Sequence, residues 1–274
     1  MALAFQPVRS RVVLFAPGFE PMRADQHRAR FTRTLAHSTQ LWGLTAEADA
    51  LLEVSDGVAC FQARAAGPNW RTEVEFRLLT WDDLLRAELA RSLAQRLGRG
   101  LRALGGVIAG GTLTRYAAAH WRYALFALWP LLLLGGAVLG GVVAGLALGA
   151  LAGVLTGAAL ATVAWRRGDL GFLLADWAFA HDLAQGAYQE RIARFADEIL
   201  AARRTCVDEV VLIGHSLGAV FAVQAMAEAL RRAPNPPPDG PRFVLIGLGS
   251  SVLKVARLSG ATRLRSDLAQ PRRP

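Results

Sequence analysis

The longest uncharged segment of this chain is the feature that most restricts its fold. No charged residue occurs in residues 124–165, a stretch of 42 residues in a chain of 274. As one helix the stretch would be roughly twice as long as the ~30 Å hydrocarbon thickness of a bilayer. Two membrane-spanning helices joined by a tight turn fit better. We predict the spans at residues 123–139 and 142–165, with the turn at Gly140-Gly141 or, nearly as well, at Gly135-Gly136.

Aromatic rings and arginines flank this segment at both ends. Trp and Tyr side chains prefer the membrane interface, and arginines mark the cytoplasmic side. The flanking residues are Trp121, Tyr123, Trp129 and Trp165, with Arg115 and Arg122 before the segment and Arg166 and Arg167 after it. We therefore expect an integral membrane protein in contact with the lipid bilayer, whose soluble parts share the cytoplasmic side.

Five glycines recur at every fourth residue and predict a helix face that another helix can approach closely. They are Gly141, Gly145, Gly149, Gly153 and Gly157. We place them in the second predicted span. The partner of this glycine ridge is either the first span or a second copy of the protein, which would form a homo-oligomer.

A second informative segment is Gly214-His215-Ser216-Leu217-Gly218, which matches the G-x-S-x-G pattern of a nucleophile elbow. Residues 207–213 before it predict a buried strand, and residues 219–232 after it predict a helix. In that setting Gly214 and Gly218 permit a sharp turn, with His215 beside the elbow and Ser216 at its apex as nucleophile. The N–H of Leu217, at the start of the helix, would face the oxyanion of acyl transfer. A chance match on an ordinary strand-to-helix turn is the alternative.

Another predicted strand, residues 11–16, ends at Pro17-Gly18-Phe19, where backbone amides become available. Together with the elbow, this pattern resembles the α/β-hydrolase superfamily, in its lipase and esterase branch and a bacterial membrane-inserted form. The resemblance implies that the N–H of Phe19 is the second oxyanion donor. It also implies an acyl-ester substrate and a location in the bacterial inner membrane. An ordinary strand-ending turn remains the alternative for this loop.

The resemblance requires an acid and then a histidine after the nucleophile. The chain has five histidines, and none follows Ser216. His215 is a poor base for its own neighbour. Asp267, the last acid, is better explained as a charge on a solvated helix face. We therefore expect the front part of a hydrolase, active as a serine esterase only if the missing acid and histidine are supplied.

The predicted fold class is α/β: a partial α/β-hydrolase sheet with flanking helices, interrupted by a transmembrane hairpin of two helices. The expected domains are residues 1–114, the first part of the hydrolase-like domain, residues 115–168, the hairpin, and residues 169–274, the elbow part. Within the first part, residues 84–104 alternate leucine with arginine and predict a basic amphipathic helix. That helix lies either on a membrane surface or over the sheet.

Charge and cysteine content restrict the partners. The net charge is +9, but the arginines are spread along the chain, so we expect no nucleic-acid partner. Cys60 and Cys206 have no metal-binding spacing, so we expect no metal and no cofactor. The favoured function is a membrane-anchored serine hydrolase acting on a lipid or another acyl ester through Ser216. The alternative is a catalytically inactive hydrolase-like membrane protein that serves as an interaction module.

Overall fold

A computed structural model of the protein describes residues 8–55, 57–235 and 237–270. Within these ranges the chain forms seven strands and eleven helices. The strands are β1 (Ser10–Ala16), β2 (Thr45–Ala48), β3 (Leu52–Ser55), β4 (Val58–Gly67), β5 (Trp70–Leu79), β6 (Glu209–His215) and β7 (Arg242–Leu248). The helices are α1 (Ala24–Trp42), α2 (Asp82–Leu89), α3 (Leu93–Ala109), α4 (Thr112–Ala119), α5 (Trp121–Leu148), α6 (Ala150–Arg167), α7 (Leu170–Ala184), α8 (Gln189–Ala202), α9 (Gly218–Arg232), α10 (Val252–Ala256) and α11 (Thr262–Leu268).

The chain divides into two compact units. The described residues of Met1–Arg86, Tyr188–Leu253 and Arg263–Pro274 form the first, here named the sheet unit. Ala87–Ala187 and Lys254–Thr262 form the second, the helical unit.

The sheet unit contains one mixed sheet in the order β2-β4-β5-β1-β6-β7, with β3 also paired to β4. β1 runs parallel to β5 and β6, and β6 runs parallel to β7, whereas β2, β3, β4 and β5 are joined by antiparallel pairings. The predicted α/β class is confirmed. Register pairs Ala16 of β1 with Gly214 of β6, so these two strands end side by side at one edge of the sheet.

Helices cover the central strands on both faces. On one face, Phe31 of α1 packs against Phe61 and Phe76, with ring centroids 5.3 and 5.2 Å apart. Because side chains alternate along a strand, Leu14 of β1 points to the opposite face, where it is fully buried. There α8 and α9 pack on the sheet, joined by an edge-to-face contact between Phe195 and Phe221.

β7 forms an edge of the sheet and is poorly covered. Its residues Leu245, Ile246 and Leu248 are 46%, 38% and 47% exposed. Its apolar sequence suits a strand buried on both faces, which this edge position does not provide.

In the helical unit, α3 packs against α7 at a point where Gly100 leaves no room for a Cβ beside Leu174. The single amphipathic helix predicted over residues 84–104 is wrong, because the chain breaks after α2. Ser92 caps the new helix, its hydroxyl accepting the N–H of Gln95 while the Gln95 side chain accepts the N–H of Ser92. This reciprocal capping box starts α3 as a separate helix.

The predicted turn at Gly140-Gly141 is also wrong, and so is the alternative at Gly135-Gly136. α5 continues through all four glycines to Leu148, and the chain reverses at Gly149. Gly149 has φ +95°, a backbone conformation that residues with a side chain rarely adopt. A glycine elsewhere in an apolar helix remains helical because its neighbours continue the hydrogen-bond ladder.

This shift of the turn changes the two predicted spans. Among the described residues, one helix, α5, is long and apolar enough to cross a membrane. Of its most apolar stretch of 18 residues, 11% is buried. Residues 142–148 belong to α5 rather than to the second span. α6 is left with 18 residues, of which Arg166 and Arg167 are in the last turn.

The glycine ridge does not lie on one helix as predicted. Gly141 and Gly145 belong to α5, and Gly153 and Gly157 belong to α6, with Gly149 between the helices. A Cβ on Gly153 would lie 2.7 Å from both the carbonyl oxygen of Gly141 and the Cα of Gly145. The glycines of the two helices therefore face each other and allow backbone contact within one chain.

Candidate functional site

Ser216 lies at the turn between β6 and α9, as the sequence predicted. Its φ is +51°, in the left-handed region that non-glycine residues seldom occupy. The flanking glycines make the turn sterically possible. A Cβ on Gly214 would clash with the backbone of Ala219, and one on Gly218 would clash with the carbonyl oxygens of Ala16 and Pro17. Strand, turn and helix are thus packed more closely than alanine at either position would permit.

The backbone of Ser216 is held by the segment that follows β7. Its N–H donates to the carbonyl oxygen of Leu248 at 2.9 Å, and its carbonyl oxygen accepts the N–H of Ser251 at 3.0 Å. The hydroxyl oxygens of Ser216 and Ser251 lie 3.4 Å apart, a long hydrogen bond. Ser251 was not predicted as a site residue, because a contact between residues that follow neighbouring parallel strands leaves no local pattern in the sequence.

The loop after β1 reaches the same place. A Cβ on Gly18 would lie 3.1 Å from the Cβ of Ser216, so the backbone of this loop passes directly beside the serine. The next residue, Phe19, is 7% exposed. The two segments that the sequence singled out are therefore brought together, although they are about 200 residues apart in the chain.

Trp81 fixes this loop, a role that no sequence pattern predicted. Its indole N–H donates to the carbonyl oxygen of Pro17 at 2.9 Å, and the side chain is 1% exposed. Its ring also packs against Phe19 at 6.2 Å and against Phe221 of α9 at 5.1 Å. One side chain thus links the loop to the helix that starts at the elbow.

Leu217 occupies the N-cap position of α9 and is fully buried. The first N–H groups of a helix have no acceptor within the helix, and the helix dipole makes this end favourable for negative charge. The N–H of Leu217, the residue directly after Ser216, belongs to this end of α9. This arrangement suits stabilisation of an oxyanion that forms when the serine attacks a carbonyl carbon.

Two histidines lie in this region of the sheet unit, and neither hydrogen-bonds the Ser216 hydroxyl. The ring of His215 packs on Gly18, where an added Cβ would lie 2.7 Å from its Nδ1. His27 of α1 is 6% exposed and meets Phe15 edge-to-face at 6.1 Å. Its Nε2 is buried without a hydrogen-bond partner among the described residues.

Burial lowers the pKa of His27 below its usual value, so the ring is neutral near pH 7. Four charged or titratable neighbours contribute smaller effects. Glu20 and Asp82 raise the pKa of His27, and Arg30 and His215 lower it.

Asp267 is not brought to the serine. Its carboxylate pairs with Arg231 at 2.6 Å and is almost fully buried there. Arg231 is in the last turn of α9, whereas Ser216 precedes its first turn. With a rise of 1.5 Å per residue, the two ends are roughly 20 Å apart. Asp267 thus stabilises the end of α9 that is far from Ser216. The prediction that it is a charge on a solvated helix face is wrong, because its side chain is buried.

Within residues 8–55, 57–235 and 237–270, no group of three or more His, Cys, Asp and Glu side chains could hold a metal ion. No family model, no curated protein and no solved structure matches this chain. What the chain does is therefore inferred from the geometry of its own residues.

Proposed function

We propose that the chain is a membrane-anchored serine hydrolase of the α/β-hydrolase type, which acts on an acyl ester through Ser216. The observation that carries this proposal is the strained φ of +51° at Ser216, in a turn that only the small residues Gly214 and Gly218 make possible. Strain of this kind costs of order 1–3 kcal/mol and is concentrated at functional sites.

The proposed chemistry is acyl transfer. The Ser216 Oγ attacks the ester carbonyl carbon, the carbonyl oxygen becomes an oxyanion, and the alcohol leaves as the carbonyl re-forms. The N–H groups of Leu217 and Phe19 stabilise the oxyanion. Water then attacks the acyl-serine and releases the acid. Trp81 supports the second donor indirectly, because it holds the loop that carries Phe19.

The proton of the Ser216 hydroxyl needs an acceptor, and here the site departs from a complete triad. Ser251 is the partner of that hydroxyl in the sheet unit, and a hydroxyl is a weak base. This observation favours a second candidate function, that of an inactive hydrolase-like membrane protein acting as an interaction module. In that case the elbow is a retained structural feature.

Membrane anchorage is proposed from the α5–α6 pair. The large apolar side chains of this pair are unusually exposed: Leu146, Leu148 and Leu151 are 85%, 77% and 73% accessible. An apolar surface of this kind marks an interaction site, and the absence of charge over 42 residues favours lipid as the partner. We infer the bacterial inner membrane with both soluble parts cytoplasmic, from the flanking arginines. Anchorage in the bilayer would place the site beside lipids, which favours a lipid or another acyl ester as the substrate.

Covalent labelling with a fluorophosphonate probe tests the enzymatic proposal, because the probe reacts only with an activated serine. Membranes containing the full chain are compared with membranes containing the Ser216→Ala variant, and Ser251→Ala serves as a second variant. Labelling that disappears in Ser216→Ala supports a working serine hydrolase. Well-folded protein that remains unlabelled would support the inactive interaction module instead.

A further inference from the structure

We propose that the α5–α6 hairpin enters the bilayer from one side and ends within the far leaflet, with no loop exposed beyond it. This inference rests on the membrane anchorage proposed above and adds the depth and direction of insertion. It is carried by the pairing of the two helices, by their unequal lengths and by the composition of the tip.

The two helices pair symmetrically about Gly149. Gly141 lies opposite Gly157, and Gly145 lies opposite Gly153, at backbone contact distance in both cases. Further along, a Cβ on Gly168 would lie 3.1 Å from the Leu133 side chain. The end of α6 is therefore level with the middle of α5, not with its beginning.

Only part of α5 is consequently paired with α6. The paired arms are residues 132–148 of α5 and residues 150–165 of α6, each about 25 Å long at 1.5 Å per residue. This length is slightly less than the ~30 Å hydrocarbon core and lies at the lower limit for a full span. A hairpin that starts at one headgroup layer thus ends close to the opposite one.

The unpaired beginning of α5 belongs to the body of the helical unit. Tyr123 meets Tyr116 edge-to-face at 4.9 Å, and Phe126 packs against Trp177 at 6.2 Å. The ammonium group of Lys254 lies over the Trp177 ring at 4.4 Å and pairs with Asp176. Because a buried ion pair lies next to the first helical turns of α5, these turns lie outside the hydrocarbon. This explains why α5 is longer than a bilayer requires.

The base of the paired arms fits the headgroup layer. Trp165 closes the apolar part of α6, and the guanidinium of Arg96 lies over its ring at 4.9 Å. Arg166 and Arg167 follow and are exposed, and they form no ion pair within the part of the chain that the structure describes. Indole rings prefer this layer, and arginines without an acidic partner complement anionic phosphates.

The tip has the opposite character. Residues 142–155 are only Gly, Ala, Val and Leu, and they include the most exposed leucines of the hairpin. A loop that emerged into water on the far side would expose all of these side chains. The turn itself is one residue, Gly149, whose N–H donates to Gly145 and whose carbonyl oxygen accepts the N–H of Gly153. So compact a turn leaves few backbone groups to be satisfied by water at the far interface.

Cysteine accessibility tests the proposal on the full chain in sealed vesicles of phosphatidylethanolamine and phosphatidylglycerol. The background carries Cys60→Ala and Cys206→Ser, which remove the two native thiols. Leu151→Cys reports the tip, and Ala118→Cys, on the exposed surface of α4, reports the base. A membrane-impermeant maleimide is either added outside or trapped inside, and a bimane at the tip is exposed to spin-labelled lipid.

We expect Ala118→Cys to react with the external reagent and Leu151→Cys to react with neither reagent until detergent is added. The bimane at residue 151 should be quenched by spin-labelled lipid. Reaction of Leu151→Cys with the trapped reagent would overturn the proposal and leave anchorage intact, since the tip would then cross the bilayer. Reaction of both sites with the external reagent would overturn anchorage as well. Labelling of Ser216 is measured separately, so neither result is confused with loss of enzymatic activity.

Discussion

Ser216 and Trp81 show how single residues define this site. The strained backbone at Ser216 persists because neighbouring groups hold it: Leu248 accepts its N–H, and Ser251 donates to its carbonyl oxygen. Trp81 acts one step away, through the Pro17 carbonyl oxygen. Residues that do not touch a substrate can therefore hold the loop after β1 in position beside Ser216.

Trp81→Phe should lower the free energy of unfolding by about 1–3 kcal/mol, because the buried Pro17 carbonyl oxygen loses its donor. Probe labelling of Ser216 should fall with it, as the Phe19 loop loosens. The thermal unfolding midpoint in detergent gives the first effect and probe labelling the second. Trp42→Phe is the matched control, since Trp42 is 76% exposed and the same change there should have little effect. Equal losses in both variants would contradict the role of the hydrogen bond.

Titration of His27 should make the protein less stable in mild acid. Burial lowers the pKa of His27 in the folded chain, so the unfolded chain binds the proton more readily once the pH falls below the usual histidine pKa of about 6.5. The free energy of unfolding should therefore decrease from pH 7.5 toward pH 5.5.

The comparison that isolates this effect is His27→Gln, which cannot titrate. Its unfolding midpoint should depend less on pH over the same interval than that of the parent chain. The other titratable groups are the same in both proteins, so their contributions to the pH dependence cancel. Parallel pH profiles would show that His27 takes up its proton equally in both states.

At the scale of elements, α5 and α6 are joined by contacts between backbones rather than between side chains. Gly141 and Gly145 on one helix meet Gly153 and Gly157 on the other. Interfaces of this kind are typical of helices in lipid, where dispersion contacts replace the hydrophobic effect as the driving force.

Gly153→Val should separate these helices. Its side chain would overlap the carbonyl oxygen of Gly141 and the Cα of Gly145, and overpacking of this sort costs about 1–3 kcal/mol. Gly135→Val is the matched control, because no atom lies within 4 Å of a Cβ there. Both changes place a β-branched residue in a helix, so only the interhelical clash differs. The thermal midpoint of the detergent-solubilised protein should fall clearly for Gly153→Val alone. An equal fall in both would mean that the helices do not pack at this glycine.

At the scale of the whole molecule, the chain is a sheet unit and a helical unit whose sequences interleave. The described parts of residues 8–86 and 188–253 complete one sheet, and the helical unit is formed largely by the segment between them. The backbone passes between the two units four times, so anchorage of the helical unit would anchor the sheet unit through four chain connections.

Alkaline carbonate extraction tests anchorage of the entire chain. The parent protein should remain with the membrane, and the double variant Leu139→Arg with Leu155→Arg should be released in large part. Both leucines are over 60% exposed in mid-arm positions, where each arginine costs about 2.5–3.5 kcal/mol of insertion free energy. Leu41→Arg with Leu268→Arg adds the same charge to exposed positions of the sheet unit and should stay with the membrane. Release of both double variants would point to a general effect of charge rather than to the hairpin.

Sequence alone determined the elements whose signals are local. The strand and helix around Ser216 follow from a β-branched run, a glycine-flanked serine and a helix pattern that ends in basic residues. The uncharged segment is likewise visible without any structure. These features depend on neighbouring residues, and a linear sequence records them directly.

Only the tertiary structure decided the rest, because it depends on contacts between residues far apart in the chain. Eight glycines lie in the apolar segment, and their local sequences do not distinguish them. Which of them becomes the turn depends on how the two helices pair. The contact of Ser251 with Ser216, and of Trp81 with Pro17, arises from strand order and register, which no local pattern encodes. In the described structure no histidine hydrogen-bonds the Ser216 hydroxyl. Which side chains lie beside this hydroxyl is likewise decided by the fold of the whole sheet unit.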